Sequence, residues 1–154
     1  MSSACANMME VKASDADLLK LKTLFKNGFC LDAIKPMPPE IASGNDRREW
    51  LRQYWGTGGD VFQSGDEKMD PFEPTITFYT KWTPPIEALK ELTRQFSEIS
   101  IKFNYYNHEC EEAGQYHIEK GIATGRYYIQ EHEEVRKIAK EIHGDDFFDD
   151  EDEE

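Results

Sequence analysis

The chain has 154 residues, 38% hydrophobic and 32% charged, and a formal net charge of −13. That balance excludes a disordered chain and suits one domain with a core of its own. No apolar run approaches the roughly 18 residues of a membrane span, and the acidic excess argues against a basic footprint for nucleic-acid phosphate.

In chain order, residues 6 to 12 read as an opening strand. Ser14 is a good helix N-cap, and Leu18, Leu21, Leu24 and Phe25 follow at helical spacing. Asn27-Gly28 is a natural stop. Residues 29 to 41 hold Pro36, Pro38 and Pro39 and read as an irregular crossing segment. Residues 46 to 53 suit a short helix with Trp50 and Leu51 inward. The glycine-rich elbow Tyr54-Trp55-Gly56-Thr57-Gly58-Gly59 comes next. Residues 60 to 63 suit a short edge strand, and 64 to 74 a polar loop.

Residues 75 to 82 alternate as a half-buried strand, with Ile76, Phe78 and Thr80 on one side. Thr83 is placed to cap a helix whose first turn suits Pro84 and Pro85, and whose apolar stripe is Ile86, Leu89, Leu92 and Phe96. Residues 99 to 106 read as another strand, 115 to 119 and 122 to 129 as a hairpin around Lys120-Gly121, and 130 to 142 as a helix ended by His143-Gly144. These elements predict an α+β fold: a ferredoxin-like antiparallel sheet with helices packed mainly on one face. Residues 1–144 are expected to form one domain with inserted loops, and 145–154 an acidic, disordered tail.

At Trp55-Gly56-Thr57, and again at Trp82 with Pro84-Pro85, the chain resembles the YubB-type ferredoxin-like domain family of phages and plasmids. The resemblance runs from Asn7 through most of residues 6 to 130. The family pattern has Lys after Gly-Thr, where Gly58 stands here, and a small or polar residue at the position of Lys81. The resemblance implies a fold and a mobile-element setting, and no reaction or substrate.

Cys5, Cys30 and Cys110 form no Cys-x-x-Cys pair, which predicts free thiols in a reducing compartment. The first fifteen residues lack the basic start and apolar core of a secretory signal, so a cytoplasmic location in a bacterial host is expected. His108, Cys110 and His117 are the nearest approach to a metal cluster, yet their spacing matches no zinc motif. No metal or other cofactor is expected. Cys110 beside His108 or His117, with Glu109, Glu111 and Glu112, would be the only basis for a small hydrolase-like enzyme, and a solvated turn is expected instead. Gly56, Gly58 and Gly59 make no phosphate-loop motif. The surface around Tyr105, Tyr106, Tyr127 and Tyr128 is not strongly basic, so sheet packing or protein contact is expected of them. Trp55, Gly56, Thr57, Trp82, Pro84 and Pro85 are expected to form a structural elbow, with both tryptophans packed against the core.

The charge is concentrated at one end. Asp145, Asp146, Asp149, Asp150, Glu151, Asp152, Glu153 and Glu154 surround Phe147 and Phe148 without a base, and the rest of the chain holds 23 acids against 18 bases. Acids around exposed aromatics can dock on a basic, partly apolar protein surface. The expected role is therefore a noncatalytic one: binding and inhibiting a host nucleic-acid-binding or defence complex through this tail with Glu109, Glu111 and Glu112. Direct nucleic-acid or membrane binding is not expected. A structural or assembly role, with self-association, is the alternative.

Overall fold

The computed structural model describes residues 4–63, 69 and 72–144. The tail at 145–154 and most of the polar loop read at 64–74 lie outside the described residues. Strands β1 (Ala4–Lys12), β2 (Thr75–Lys81), β3 (Ser100–Asn107), β4 (Glu112–Glu119) and β5 (Ile122–Ile129) form one antiparallel sheet in the order β2-β1-β3-β4-β5. β2 and β3 run the same way on either side of β1 and are joined through helix α5 (Ile86–Gln95), a split β-α-β unit. The register pairs Ala4 with Lys81 and Cys5 with Asn107, so the ends of β2 and β3 meet at the start of β1.

One face of the sheet carries Cys5, Met9, Phe78, Ile101, Phe103 and Ile118. It is covered by α1 (Asp15–Leu24), α2 (Leu31–Ile34), α3 (Pro39–Ala42), α4 (Arg47–Tyr54) and α5, through Leu21, Leu31, Trp50, Leu51, Leu89 and Leu92. The terminal helix α6 (Glu133–His143) crosses the other face. There Val135, Ile138 and Ala139 bury Tyr106 and Ala113 in a smaller core. Asn104 Nδ2 donates to the Glu141 carboxylate at 2.6 Å and fastens α6 to β3. The fold is thus α+β with helices mainly on one face.

Local chemistry explains most boundaries. Ser14 accepts the Asp17 N–H at 3.2 Å and opens α1. Lys120 and Gly121 have φ of 50° and 78°, the paired positive torsions of a two-residue hairpin turn. Gly144, at φ 106°, closes α6.

Three expectations need correction. The proline-rich crossing is not wholly irregular, because α2 and α3 are helical turns within it. The cap of α2 comes from far along the chain. The Asp60 carboxylate accepts the N–H groups of Leu31 at 2.7 Å, Asp32 at 3.2 Å and Val61 at 2.7 Å. Burial pushes that carboxyl up from its ordinary range, against the pull of these donors. Residues 60 to 63 make one bridge, Phe62 to Tyr79, rather than a strand. Phe72, from the segment read as polar loop, is buried and stacks on Phe25 with centroids 5.4 Å apart.

Because one carboxylate satisfies three backbone donors, D60A should cost about 1–3 kcal/mol of stability. Urea unfolding of both proteins at one pH measures it, and an unchanged midpoint would contradict the capping role.

Candidate functional site

The elbow is assembled at the end of the sheet where β2 stops. Trp55 ends α4, is buried, and donates its indole N–H to the Lys35 carbonyl at 2.9 Å. Gly56 then turns with φ 80°, and a Cβ there would lie 3.1 Å from the Glu87 amide. Thr57 is buried and donates its hydroxyl to the Lys81 carbonyl at 2.9 Å. Of the two tryptophans expected to pack against the core, Trp55 is buried there.

Trp82 departs from that expectation. It is 47% exposed with φ 69°. The Thr83 N–H donates to the Lys81 carbonyl at 2.8 Å across it, which makes Trp82 the centre of a γ-turn of the rare positive-φ kind. The turn is held from several sides. Asn107 Nδ2 donates to the Trp82 carbonyl at 2.7 Å, and the Thr80 hydroxyl to the Thr83 carbonyl at 2.7 Å. The Thr83 hydroxyl donates to the Gly56 carbonyl at 2.8 Å, so Thr83 ties the elbow instead of capping α5. Pro84 and Pro85 precede that helix, which starts at Ile86 without a side-chain cap.

A cleft of about 380 Å³ opens between α4 and this turn. Arg47, Arg48 and Arg52 line one wall, Lys81 and Trp82 the other, with Leu51 and the glycines between. Lys81 Nζ sits 4.8 Å from the Trp82 ring centroid. Arg52 is paired with Glu49 at 2.9 Å. Among the described residues, Arg47 and Arg48 have no acidic partner. A local concentration of cations beside an exposed indole can hold an anion that carries a flat ring. Sequence reasoning missed it because each base stands beside acids or polar groups along the chain. Only the return of β2 against α4 brings Lys81 to the arginines.

The sequence-predicted residues lie on the same sheet end, farther along it. Glu109 and Glu111 are exposed in the turn between β3 and β4. Glu112 is half-buried on β4, where its carboxylate accepts the Tyr105 phenol at 2.6 Å. Burial, with that carboxylate second, pushes the phenol far up. The Gln130 N–H donates to the Glu111 carbonyl at 2.6 Å, so this turn touches the one that leads into α6. His108, Glu111, Glu131, His132 and Arg136 share a second cleft of about 300 Å³ there. Asp145, Asp146, Phe147, Phe148, Asp149, Asp150, Glu151, Asp152, Glu153 and Glu154 lie outside the described residues.

His108, Cys110 and His117 are not brought together. His108 Nδ1 meets the Tyr106 hydroxyl at 3.0 Å, while His117 stands opposite Lys102, well along the sheet from the Asn107–Glu112 pair. Among the described residues no three His, Cys, Asp or Glu side chains gather as a metal set. The three cysteines are free, and burial pushes the Cys5 and Cys30 thiols up, away from nucleophilic use. Tyr105 and Tyr106 are buried, whereas Tyr127 is 60% exposed. Among the described residues no helix is long and apolar enough to cross a membrane.

An antiparallel sheet with helices mainly on one face and a shaped sheet end makes this a ferredoxin-like α+β protein. Its residues 60–148 match the family model described as "Ferredoxin-like domain in Api92-like protein", and the chain belongs to that family, which is associated with phages and plasmids. The match begins after β1, although β1 supplies the strand between β2 and β3. No curated protein and no solved structure matches the chain.

Two predictions follow from the geometry of this sheet end. Glycine accepts φ 69° without penalty, so W82G should be about 1 kcal/mol more stable than W82A in urea unfolding. Equal stabilities would mean that the turn relaxes when the indole is removed. His143 packs edge-on to Tyr106, and burial, then the nearby His108, lowers its pKa from 6.5. A lowered histidine favours the folded state only while neutral. Its contribution is therefore complete above about pH 6.5 and is lost as pH falls through the folded value. Unfolding midpoints between pH 8 and pH 5 should fall more for the native protein than for H143Q.

Proposed function

We propose that this is a noncatalytic, cytoplasmic mobile-element protein that binds and inhibits a host nucleic-acid-binding or defence complex through acidic surface. The observation that carries the reading is the hydrogen bond between Gln130 N–H and the Glu111 carbonyl. It couples two turns, so that the exposed Glu111 and Glu131 share a cleft with His108, His132 and Arg136, and the exposed Glu109 and Glu133 lie within two residues of them along the chain. Glu134 is also near, but Lys137 neutralises it at 3.2 Å. Backbone contacts fix the spacing of such carboxylates, and a fixed array can compete with phosphates for a basic protein surface. The acidic residues of 145–154 would add long-range attraction, and Phe147 and Phe148 an apolar anchor.

A second reading is supported by a different observation. β5 is an edge strand with Ile122, Tyr127 and Ile129 65%, 60% and 53% exposed. An exposed apolar edge favours strand pairing with another chain, as an assembly component would use.

Affinity capture from bacterial lysate tests the first reading. The baits are the intact chain, a version ending at Gly144, and a version carrying E109Q, E111Q, E131Q and E133Q. The expected result is a nucleic-acid-processing or defence complex that the intact chain holds and inhibits. Its affinity should be roughly tenfold lower for each altered bait, with weaker salt dependence. Equal retention by all three baits, or no inhibition of the captured complex, would sink the acidic mechanism. A concentration-dependent dimer without a partner would favour assembly.

A further inference from the structure

We infer that the cleft between α4 and the Lys81–Trp82 turn is a binding site for a nucleoside phosphate unit. The site stands apart from the acidic docking surface and does not depend on it.

Four cationic side chains converge on this cleft in a chain whose net charge is −13. Glu49 answers Arg52 at 2.9 Å, which leaves Arg47, Arg48 and Lys81 as the excess positive charge of the cleft. Arg47 and Arg48 are exposed and, among the described residues, make no ion pair. Guanidinium groups in such a position suit the oxygens of a phosphate, which they can grip in pairs. Phosphate alone would not call for the indole. Trp82 stands at the rim with nearly half its surface open, in a backbone conformation that a bulky residue adopts only when its surroundings impose it. Four hydrogen bonds impose it here: those to the Trp82 and Thr83 carbonyls, that of the Thr83 hydroxyl, and that of the Thr83 N–H. These bonds fix the backbone that presents the indole, and Lys81 Nζ lies over one side of the ring; the surface left open suits stacking, and a base is the flat partner that comes joined to a phosphate.

The floor fits as well. Of the lining glycines, a Cβ at Gly56 would lie 3.1 Å from the Glu87 amide, and one at Gly58 would crowd the Lys81 stem at 3.3–3.5 Å. The absence of side chains at Gly56 and Gly58 keeps the floor of the cleft low. A volume of about 380 Å³ is at the small end of ligand sites, and it suits one nucleotide rather than a folded polymer. Lys81 Nζ, over the Trp82 ring, places a further charge where base and phosphate join.

The test is calorimetric titration of the full chain with AMP, ATP, adenosine, inorganic phosphate and a short 5′-phosphorylated oligothymidylate. The Trp82 indole N–H signal is followed by NMR alongside. AMP or ATP should bind tighter than either adenosine or phosphate and should shift that signal. The double variant R47Q/R48Q should weaken binding roughly tenfold or more, and W82L roughly fivefold or more, with thermal midpoints near the native one because all three side chains are exposed. Tighter binding of the oligonucleotide with the same variant losses supports the site and identifies a strand end as the source of the unit. Tighter binding of the mononucleotides identifies free nucleotide. Absence of binding by every nucleotide at millimolar concentration would overturn the inference. So would phosphate binding as tightly as AMP, or undiminished nucleotide binding by R47Q/R48Q and W82L.

Discussion

The buried amide of Asn7 is the constraint on which this sheet end depends. Asn7 is fully buried in β1, between β2 and β3. Its Nδ2 donates to the Thr80 hydroxyl at 3.0 Å and lies near the Cys5 and Phe78 carbonyls. Thr80 passes the chain of bonds to the Thr83 carbonyl, and Thr83 passes it to Gly56. A buried polar network is costly when broken, by about 1–3 kcal/mol for each group left unpaired, so its members have one acceptable arrangement. That arrangement fixes where β2 stops, turns Trp82 outward, and holds the glycine elbow against the sheet. A polar residue in the middle of a core thereby determines the shape of a surface.

The net charge of the chain conceals two opposed poles. Along the same sheet end, Arg47, Arg48 and Lys81 gather near β2, and Glu109, Glu111 and Glu131 near the ends of β3, β4 and β5, with Arg136 beside them. Asn107 stands between them. Its side chain holds the Trp82 carbonyl on one side and accepts the Cys110 N–H at 3.3 Å on the other. The field at either pole is set by groups within about 8–10 Å, since salt screens exposed charges beyond that distance. A whole-chain value of −13 therefore describes colloidal behaviour and long-range steering better than it describes either pole.

Much of the architecture was legible because its signals are local. The apolar stripe of α1, the alternation of β2 and β3 and the Lys120-Gly121 turn each lie within a dozen residues. What escaped was written in distant pairs. α2 is capped by Asp60, Phe72 completes a cluster begun by Phe25 and Phe29, and Trp82 is turned by Asn107 and Thr80. The site divides the same way. Glu109 and Glu111 were visible as an acidic turn, and the aromatic elbow as an anomaly of composition. The cleft itself required Lys81 to meet α4. No periodicity reports a meeting of that kind, and Arg52 beside Glu49 reads as an ordinary helix surface pair.

The place of β1 has a consequence for how the protein is made. Of the five strands β1 is made first, and it waits longest for its neighbours, since residue 4 waits for residue 81 and residue 5 for residue 107. Closing loops of that length before any pairing reward slows folding. Throughout that interval an apolar strand has both hydrogen-bonding edges open, the condition in which nascent chains pair with one another. Production of the folded protein is therefore a race between translation of β2 and β3 and capture of β1 by a neighbouring chain. Lower temperature and lower expression should favour the native outcome more than any gain in equilibrium stability.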